Sequence, residues 1–226
     1  MNTLQKILPP FIYEPLIKLK YKSVIAKSIL NPNKQDLDMY WDEKYANALD
    51  KWGQDNVWNE IQLLATGCEG KILDIACGTG IAIQLLSNFE KLNVYGFDIS
   101  DLLIAKAISK GISKDQLKII DATKTDYEDN EFGYSYSIGS LEHFTEEGID
   151  GFLRECSRYT SKVSFHMIPT SRAQKNEGWL KTHQSFFNNS VEWWLHYYTK
   201  YFRKVIVVDS KWNDPISVGK WFICFK

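Results

Sequence analysis

The sequence predicts an α/β fold, a doubly wound sheet of five parallel strands closed by a C-terminal antiparallel hairpin, with helices on both faces. Three observations carry this. From Lys71 onward, short apolar runs bounded by turn residues alternate with helical patterns, the spacing of βα units in a parallel sheet. The first run, Lys71-Ile-Leu-Asp-Ile-Ala-Cys-Gly-Thr-Gly80, ends in two glycines, where a buried strand turns sharply into a helix and a ligand can approach the backbone. The last two runs, Val205–Val208 and Val218–Cys224, are joined through Asn213-Asp214-Pro215. A connection that short permits only antiparallel pairing, because a parallel return needs a crossover of about a dozen residues or more.

The 226 residues suit one domain with an ample core and are too few for two typical domains and a linker. We expect a helical extension or lid over residues 1–60 and a single globular unit over 61–226. With 27 Lys and Arg against 28 Asp and Glu, no global field draws the protein to nucleic acid. The cysteines at 68, 77, 156 and 224 form no Cys-x-x-Cys pair and stand at no metal-ligand spacing from a histidine, so they read as buried reduced thiols and no metal is expected. There is no secretory leader pattern and no run of roughly 20 apolar residues to span a bilayer, and the expected location is cytoplasmic.

In chain order, residues 1–35 hold six lysines and one acid, with an amphipathic helix expected from Pro15. Such a helix either caps the fold as a lid or rests on an anionic membrane surface. Next, Tyr40-Trp41 and two helices meeting around Trp52-Gly53 lead to a stop near Gly67. After the first strand, residues 79–88 form a crossover helix, and the second strand, Asn93–Phe97, ends at Asp98. Ser100 caps a helix that runs to Gly111, and a third strand, Leu117–Ile120, ends at Asp121-Ala122-Thr123. The fourth, Tyr134–Ile138, runs into Gly139-Ser-Leu-Glu142-His143, and Thr145 caps the helix beyond. The fifth, Val163–Ile168, is expected to stop at Pro169. From there to Asn189 little periodicity remains, and a loop of that length usually covers a binding site. Ser190 caps a last helix with two aromatic stripes, read as core or oligomer contact.

Asp74, Asp98 and Asp121 all fall at strand ends, where a doubly wound sheet collects its ligands. Asp98 stands twenty residues after Gly78, the place of a carboxylate that meets ribose hydroxyls. A nicotinamide site would want a small residue three positions after Gly80, where this chain has Ile83. The segment Asp74-Ile-Ala-Cys-Gly-Thr-Gly80, with the acids that follow it, resembles the first motif of class I S-adenosylmethionine-dependent methyltransferases. That resemblance covers residues 71–166 and implies a Rossmann-like methyltransferase sheet with S-adenosyl-L-methionine as cofactor. It implies a cofactor-binding set of Tyr40, Trp41, Asp74, Ala76, Gly78, Gly80, Asp98, Ile99, Asp121, Ala122, Thr123, Ser137 and Gly139. Asp98 would hold the ribose diol, Asp121 and Ala122 would face the adenine amino group, and Asp74 would support the loop and the amino end of the cofactor.

Methyl transfer is an in-line displacement that depends on positioning, and a general base is needed only for a protonated acceptor. His143 and His166 follow strands that end at the site and are the candidates; the alternative for His143 is a hydrogen bond to neighbouring backbone. Glu142, Arg172 and His183 are the candidates for acceptor contact. The fourth strand carries Ser137-Ile-Gly-Ser140 where base-modifying enzymes place a proline-aromatic run, which disfavours nucleic acid. The Met-Tyr-Trp block and the Ser-Phe-Phe-Asn-Asn-Ser run resemble methyltransferases of bacterial surface-polysaccharide and capsule phosphoramidate pathways, so a small-molecule or glycan-precursor acceptor, methylated at oxygen, is expected. The rival readings are transfer of another group, such as aminopropyl, and a non-catalytic cofactor-binding partner.

Overall fold

The computed structural model describes residues 35–181 and 184–226. The basic helix expected from Pro15, and His183, lie outside the described residues. A seven-stranded sheet has the order β3-β2-β1-β4-β5-β9-β8. Its strands are β1 (Gly70–Ile75), β2 (Leu92–Asp98), β3 (Leu117–Ile119), β4 (Phe132–Ile138), β5 (Thr160–Ser171), β8 (Lys204–Asn213) and β9 (Ser217–Phe225). The first five pair in parallel, and β9 runs antiparallel to both β5 and β8. The mixed α/β architecture is therefore the one the sequence predicts.

Helices cover both faces because side chains alternate across each strand. On one face, α1 (Glu43–Trp52) leads into α2 (Val57–Leu64), and α2, α3 (Ile81–Leu86) and α4 (Asp101–Ser109) follow the sheet. Val57, Ile61, Ile83, Leu86, Ile104 and Ala107 pack there on Ile72, Val94, Tyr136 and Met167. On the other face, α5 (Glu146–Tyr159) and α6 (Val191–Tyr198) bring Ile149, Phe152, Leu153, Trp194 and Tyr198 onto Leu73, Ile75, Phe97 and Phe222. Ile72 and Leu73 are successive residues that serve opposite layers, the mark of a strand buried on both sides. The expected caps are made: Ser100, Thr145 and Ser190 accept from Leu103 N, Gly148 N and Trp193 N.

Two expectations are corrected. The fifth strand does not stop at Pro169; it continues to Ser171, with Pro169 opposite Gly219 of β9. β4 ends opposite Met167, whose carbonyl accepts from Gly139 N. Backbone groups alternate sides along a strand, so the missing N–H of Pro169 falls on the edge that β4 has already left and costs no ladder bond. The stretch after it is not structureless, since β6 (Trp179–Leu180) and β7 (Phe186–Phe187) form a small antiparallel hairpin whose Phe187 packs on Trp179 and Trp193. The four cysteines are free and buried. No described helix is long and apolar enough to cross a membrane.

The C-terminal hairpin is tied to α2 by one carboxylate. Glu60 accepts from Ser210 Oγ at 2.6 Å, Lys211 N at 2.6 Å and Trp221 Nε1 at 2.7 Å. Trp221 is buried, so its indole N–H has no route to water once Glu60 is truncated. Glu60→Ala should therefore destabilise the fold by about 1–3 kcal/mol, read as a lower urea midpoint; an unchanged midpoint would show that the bridge is inert.

Candidate active site

The turn after β1 is shaped by three left-handed residues, Ala76, Gly78 and Gly80, with φ of 56°, 54° and 78°. For Ala76 this conformation is strained, of order 1–3 kcal/mol, and the surroundings hold it. Cys77 N donates to Phe97 O at 2.8 Å, and Gly78 N donates to Asp98 Oδ2 at 2.9 Å. The other oxygen of Asp98 accepts from Ser100 N at 2.9 Å, so a single carboxylate, 6% exposed, fixes both the glycine turn and the start of α4. Burial pushes its carboxyl above the usual range, while these backbone donors oppose the shift.

These elements open onto a cleft of ≈ 770 Å³ at the carboxyl ends of the strands, inside the roughly 300–1,000 Å³ of small-molecule sites. Its wall includes Tyr40, Asp74, Ala76, Gly78, Asp98, Ile99, Asp121, Ala122, Thr123, Gly139, Glu142 and His143 of the residues expected from the sequence. Asp121 Oδ1 accepts from the backbone and hydroxyl of Thr123, both at 2.8 Å, which makes a compact turn after β3. Thr123 packs under Gly151 of α5, where an added Cβ would lie 3.2 Å from its side chain. Asp74, at the end of β1, is buried, and burial raises its carboxyl well above the ordinary value.

Residues 36–45 are pinned along the cleft to the β6–β7 hairpin. Gln184 Nε2 donates to Tyr40 Oη at 2.6 Å and Tyr45 Oη donates to Gln184 Oε1 at 3.0 Å, while Asp36 accepts from the backbone and hydroxyl of Ser185 at 3.0 and 2.5 Å. Beneath this staple His143 Nδ1 lies 2.8 Å from Ser185 O. A carbonyl oxygen only accepts, so Nδ1 carries the proton and Nε2 keeps a lone pair. Burial lowers the His143 pKa to about 4, so the ring is neutral at pH 7. Burial raises its neighbour Glu142 to about 8.

Other expected site residues stand elsewhere. Trp41 is 46% exposed and donates its indole N–H to Asp101 at the start of α4. Gly80 is turned into α4, where an added Cβ would come within 2.3 Å of Ile112, so its bareness serves packing. Ser137 and His166 lie beneath the cleft floor, between sheet and helices. Ser137 Oγ meets His166 Nδ1 at 2.8 Å, Ser164 Oγ meets Nε2 at 2.8 Å, and burial lowers the His166 pKa to about 3. Both ring nitrogens are thus occupied, and His166 is a structural residue. Arg172 faces away, donating to the carbonyls of Asp214 and Ser217 at the hairpin turn.

The cleft also takes residues that the sequence did not mark: Tyr45, Leu49 and Trp52 of α1, Trp58 of α2, Gln184, Phe186, Trp212 and Asp214. The aromatic density before β1 signalled the first group. Nothing local signalled Trp212, which reaches Trp52 from the far edge of the sheet, with ring centroids 5.6 Å apart.

A sequence-family model described as a methyltransferase domain matches residues 72–162. No curated protein matches the chain in sequence. Among solved structures, the phosphoethanolamine N-methyltransferase 2 of Haemonchus contortus, in complex with S-adenosyl-L-methionine, superposes with a TM-score of 0.65 at 15% identity, covering 84% of this chain and 58% of its own. An Aquifex aeolicus SAM-dependent methyltransferase gives 0.58 at 16% identity over 81% and 99% of the two chains. The PH0226 protein of Pyrococcus horikoshii OT3 gives 0.56 at 19% over 86% and 96%. Residues 72–162 thus match a methyltransferase domain, set in a sheet whose order and glycine turn give the Rossmann-like fold of these methyltransferase structures.

Asp98→Asn preserves shape but leaves one acceptor oxygen for two backbone donors. It should weaken S-adenosylhomocysteine by about tenfold or more, about 1.4 kcal/mol, in a calorimetric titration. Unchanged affinity would remove Asp98 from the cofactor site.

Proposed function

We propose that the protein transfers a methyl group to a hydroxyl oxygen of a small, non-anionic acceptor, a glycan-pathway precursor among them, with His143 as general base. The observation that carries this reading is the neutral His143 imidazole, its Nδ1 pinned on Ser185 and its Nε2 lone pair left at the cleft wall.

The residues present fit the cofactor. A Cβ at Gly78 would stand in the cleft 3.5 Å from Leu49, so this glycine leaves room that a larger residue would fill. Asp98 has two oxygens, each with a further lone pair to offer ribose hydroxyls, and Asp121, Ala122 and Thr123 form the turn expected to face the adenine. Asp74 is the acid expected to meet the amino end of the cofactor, and Tyr40 and Tyr45 add aromatic surface that suits a sulfonium. When bound, S-adenosylmethionine supplies a methyl group already activated on a positively charged sulfur. His143 Nε2 would take the proton of the acceptor hydroxyl as that oxygen accepts the methyl group and the carbon–sulfur bond breaks, the sulfur leaving as a neutral thioether.

The described part of the extension expected over residues 1–60 supports its reading as a lid, because Tyr40, Tyr45, Leu49 and Trp52 all line the cleft. Four unpaired cysteines suit a reducing, cytoplasmic setting. The turn of Arg172 away from the cleft removes the residue that an anionic phosphoramidate acceptor would have used.

Incubation with S-adenosylmethionine should raise the melting temperature and yield slow product formation; absence of any binding would overturn the reading. Once an acceptor is found, His143→Ala should lower kcat by roughly 100- to 10,000-fold with cofactor affinity unchanged. The base works deprotonated, and its pKa is lowered to about 4. The acid limb of the wild-type rate should therefore fall near pH 4 and leave the rate flat through neutrality. A limb near 6.5, the value of a free histidine, would contradict the assignment.

A further inference from the structure

Three buried polar atoms without a hydrogen-bond partner among the described residues belong to residues of this one cleft: Glu142 Oε2, Ser140 Oγ and Trp58 Nε1. Glu142 is the sharpest case. The residue is 2% exposed, its carboxyl has its own backbone N–H and, 3.7 Å from Oε1, the neutral His143 Nε2 beside it, and Oε2 has no hydrogen-bond partner among the described residues. Buried carboxyl oxygens are rarely left unpaired, because the desolvation cost is then uncompensated.

The surroundings indicate what would pair with it. Trp52 lies over Gly139, where an added Cβ would come within 2.8 Å of its ring, and it meets Trp58 edge-on at 6.4 Å and Trp212 at 5.6 Å. Three indoles thus gather about Gly139 at the end of β4, in the cleft that Ser140, Glu142 and Asp214 also line. Among the described residues, Arg154 is the one lysine or arginine lining the cleft. It sits one turn along α5 from Gly151, which packs on Thr123 at the opposite, adenine end. No described lysine or arginine lines the indole end, and the guanidinium of Arg172 behind it is held by the carbonyls of Asp214 and Ser217, whereas indole faces and an unpaired acid together attract a cation.

We propose that the indole end of the cleft is a subsite for a cationic nitrogen, so that the acceptor is an amino alcohol whose ammonium group pairs with Glu142 and lies against the indoles while its hydroxyl reaches His143. The inference rests on the methyl-transfer reading of the same cleft and names the acceptor class for it.

The test uses three probes of one shape and different charge, benzylamine, benzyl alcohol and benzoate, titrated by calorimetry at pH 8.5, where the Glu142 carboxylate predominates and the amine is still cationic, into the full-length protein saturated with S-adenosylhomocysteine. Benzylamine should bind about tenfold or more tighter than benzyl alcohol, with benzoate weakest. Glu142→Gln, which keeps size and shape, should bring the amine and the alcohol to within about threefold of each other and leave S-adenosylhomocysteine affinity unchanged. Equal or tighter binding of the alcohol or benzoate, no binding of any probe, or an amine preference that survives Glu142→Gln would overturn the subsite. If that variant does not fold, the order of the three probes on the wild-type protein decides, and Trp52→Leu should weaken benzylamine selectively. Failure of S-adenosylhomocysteine itself to bind would overturn the methyltransferase reading, a result distinct from intact cofactor binding without amine preference.

Discussion

Much of the site depends on one carboxylate. Asp98 accepts from Gly78 N and Ser100 N at 2.9 Å each, and these donors belong to the loop after β1 and the start of α4. Without that bridge, the turn that holds the strained φ of Ala76 and the left-handed Gly78 would keep only the Cys77 N to Phe97 O bond, and Gly78 N would lose its partner. Ser100 carries the constraint further: its hydroxyl donates to Tyr40 O at 2.6 Å while capping α4 at Leu103 N. The strand-end acid thus reaches the segment pinned along the cleft.

That segment is held by polar contacts between parts of the chain far apart in sequence. Asp36 holds Ser185, Gln184 joins Tyr40 and Tyr45, and Asp50 of α1 accepts from Thr79 Oγ1 and Lys110 Nζ at 2.5 Å. Hydrogen bonds of this kind contribute about 0.5–1.5 kcal/mol each, enough together to hold the segment in place. The segment is anchored at its edges, and Tyr40, Tyr45, Leu49 and Trp52 line the cavity while Trp41 points outward.

How much of this was legible in the sequence follows from the range of each interaction. The glycine turn, the acids at 74, 98 and 121 and the caps at Ser100, Thr145 and Ser190 are local features, set by residues within a few positions of each other. Strand facing was the weak point. Ser137 and His166 pair across β4 and β5 and point away from the cleft, although Ser137 adjoins the wall residue Ile138 and His166 lies three residues before the wall residue Pro169. A period of two reverses direction at every step, so an error of one residue moves a side chain to the other layer. Trp41 shows the same problem in a tight turn, pointing outward beside an inward Tyr40. Pro169 looked like a strand end because a proline usually stops a ladder, and only the position of β4 shows why it does not. Arg172 and Trp212 are settled by the hairpin of β8 and β9, whose packing against α1 and α2 brings together residues about 150 positions apart, as Glu60 and Ser210 show.

The account stands on the claim that Asp98 and the glycine turn bind the cofactor in one register, leaving Glu142 and His143 for the acceptor. A crystal structure of the protein with S-adenosylhomocysteine tests this most directly. The account predicts ribose hydroxyls within hydrogen-bond distance of Asp98, the adenine at Asp121-Ala122-Thr123, and the ligand sulfur on the cleft side of Glu142 and His143 with neither residue covered by the nucleoside. A ribose placed away from Asp98, or a nucleoside lying on Glu142 and the indoles, would contradict it.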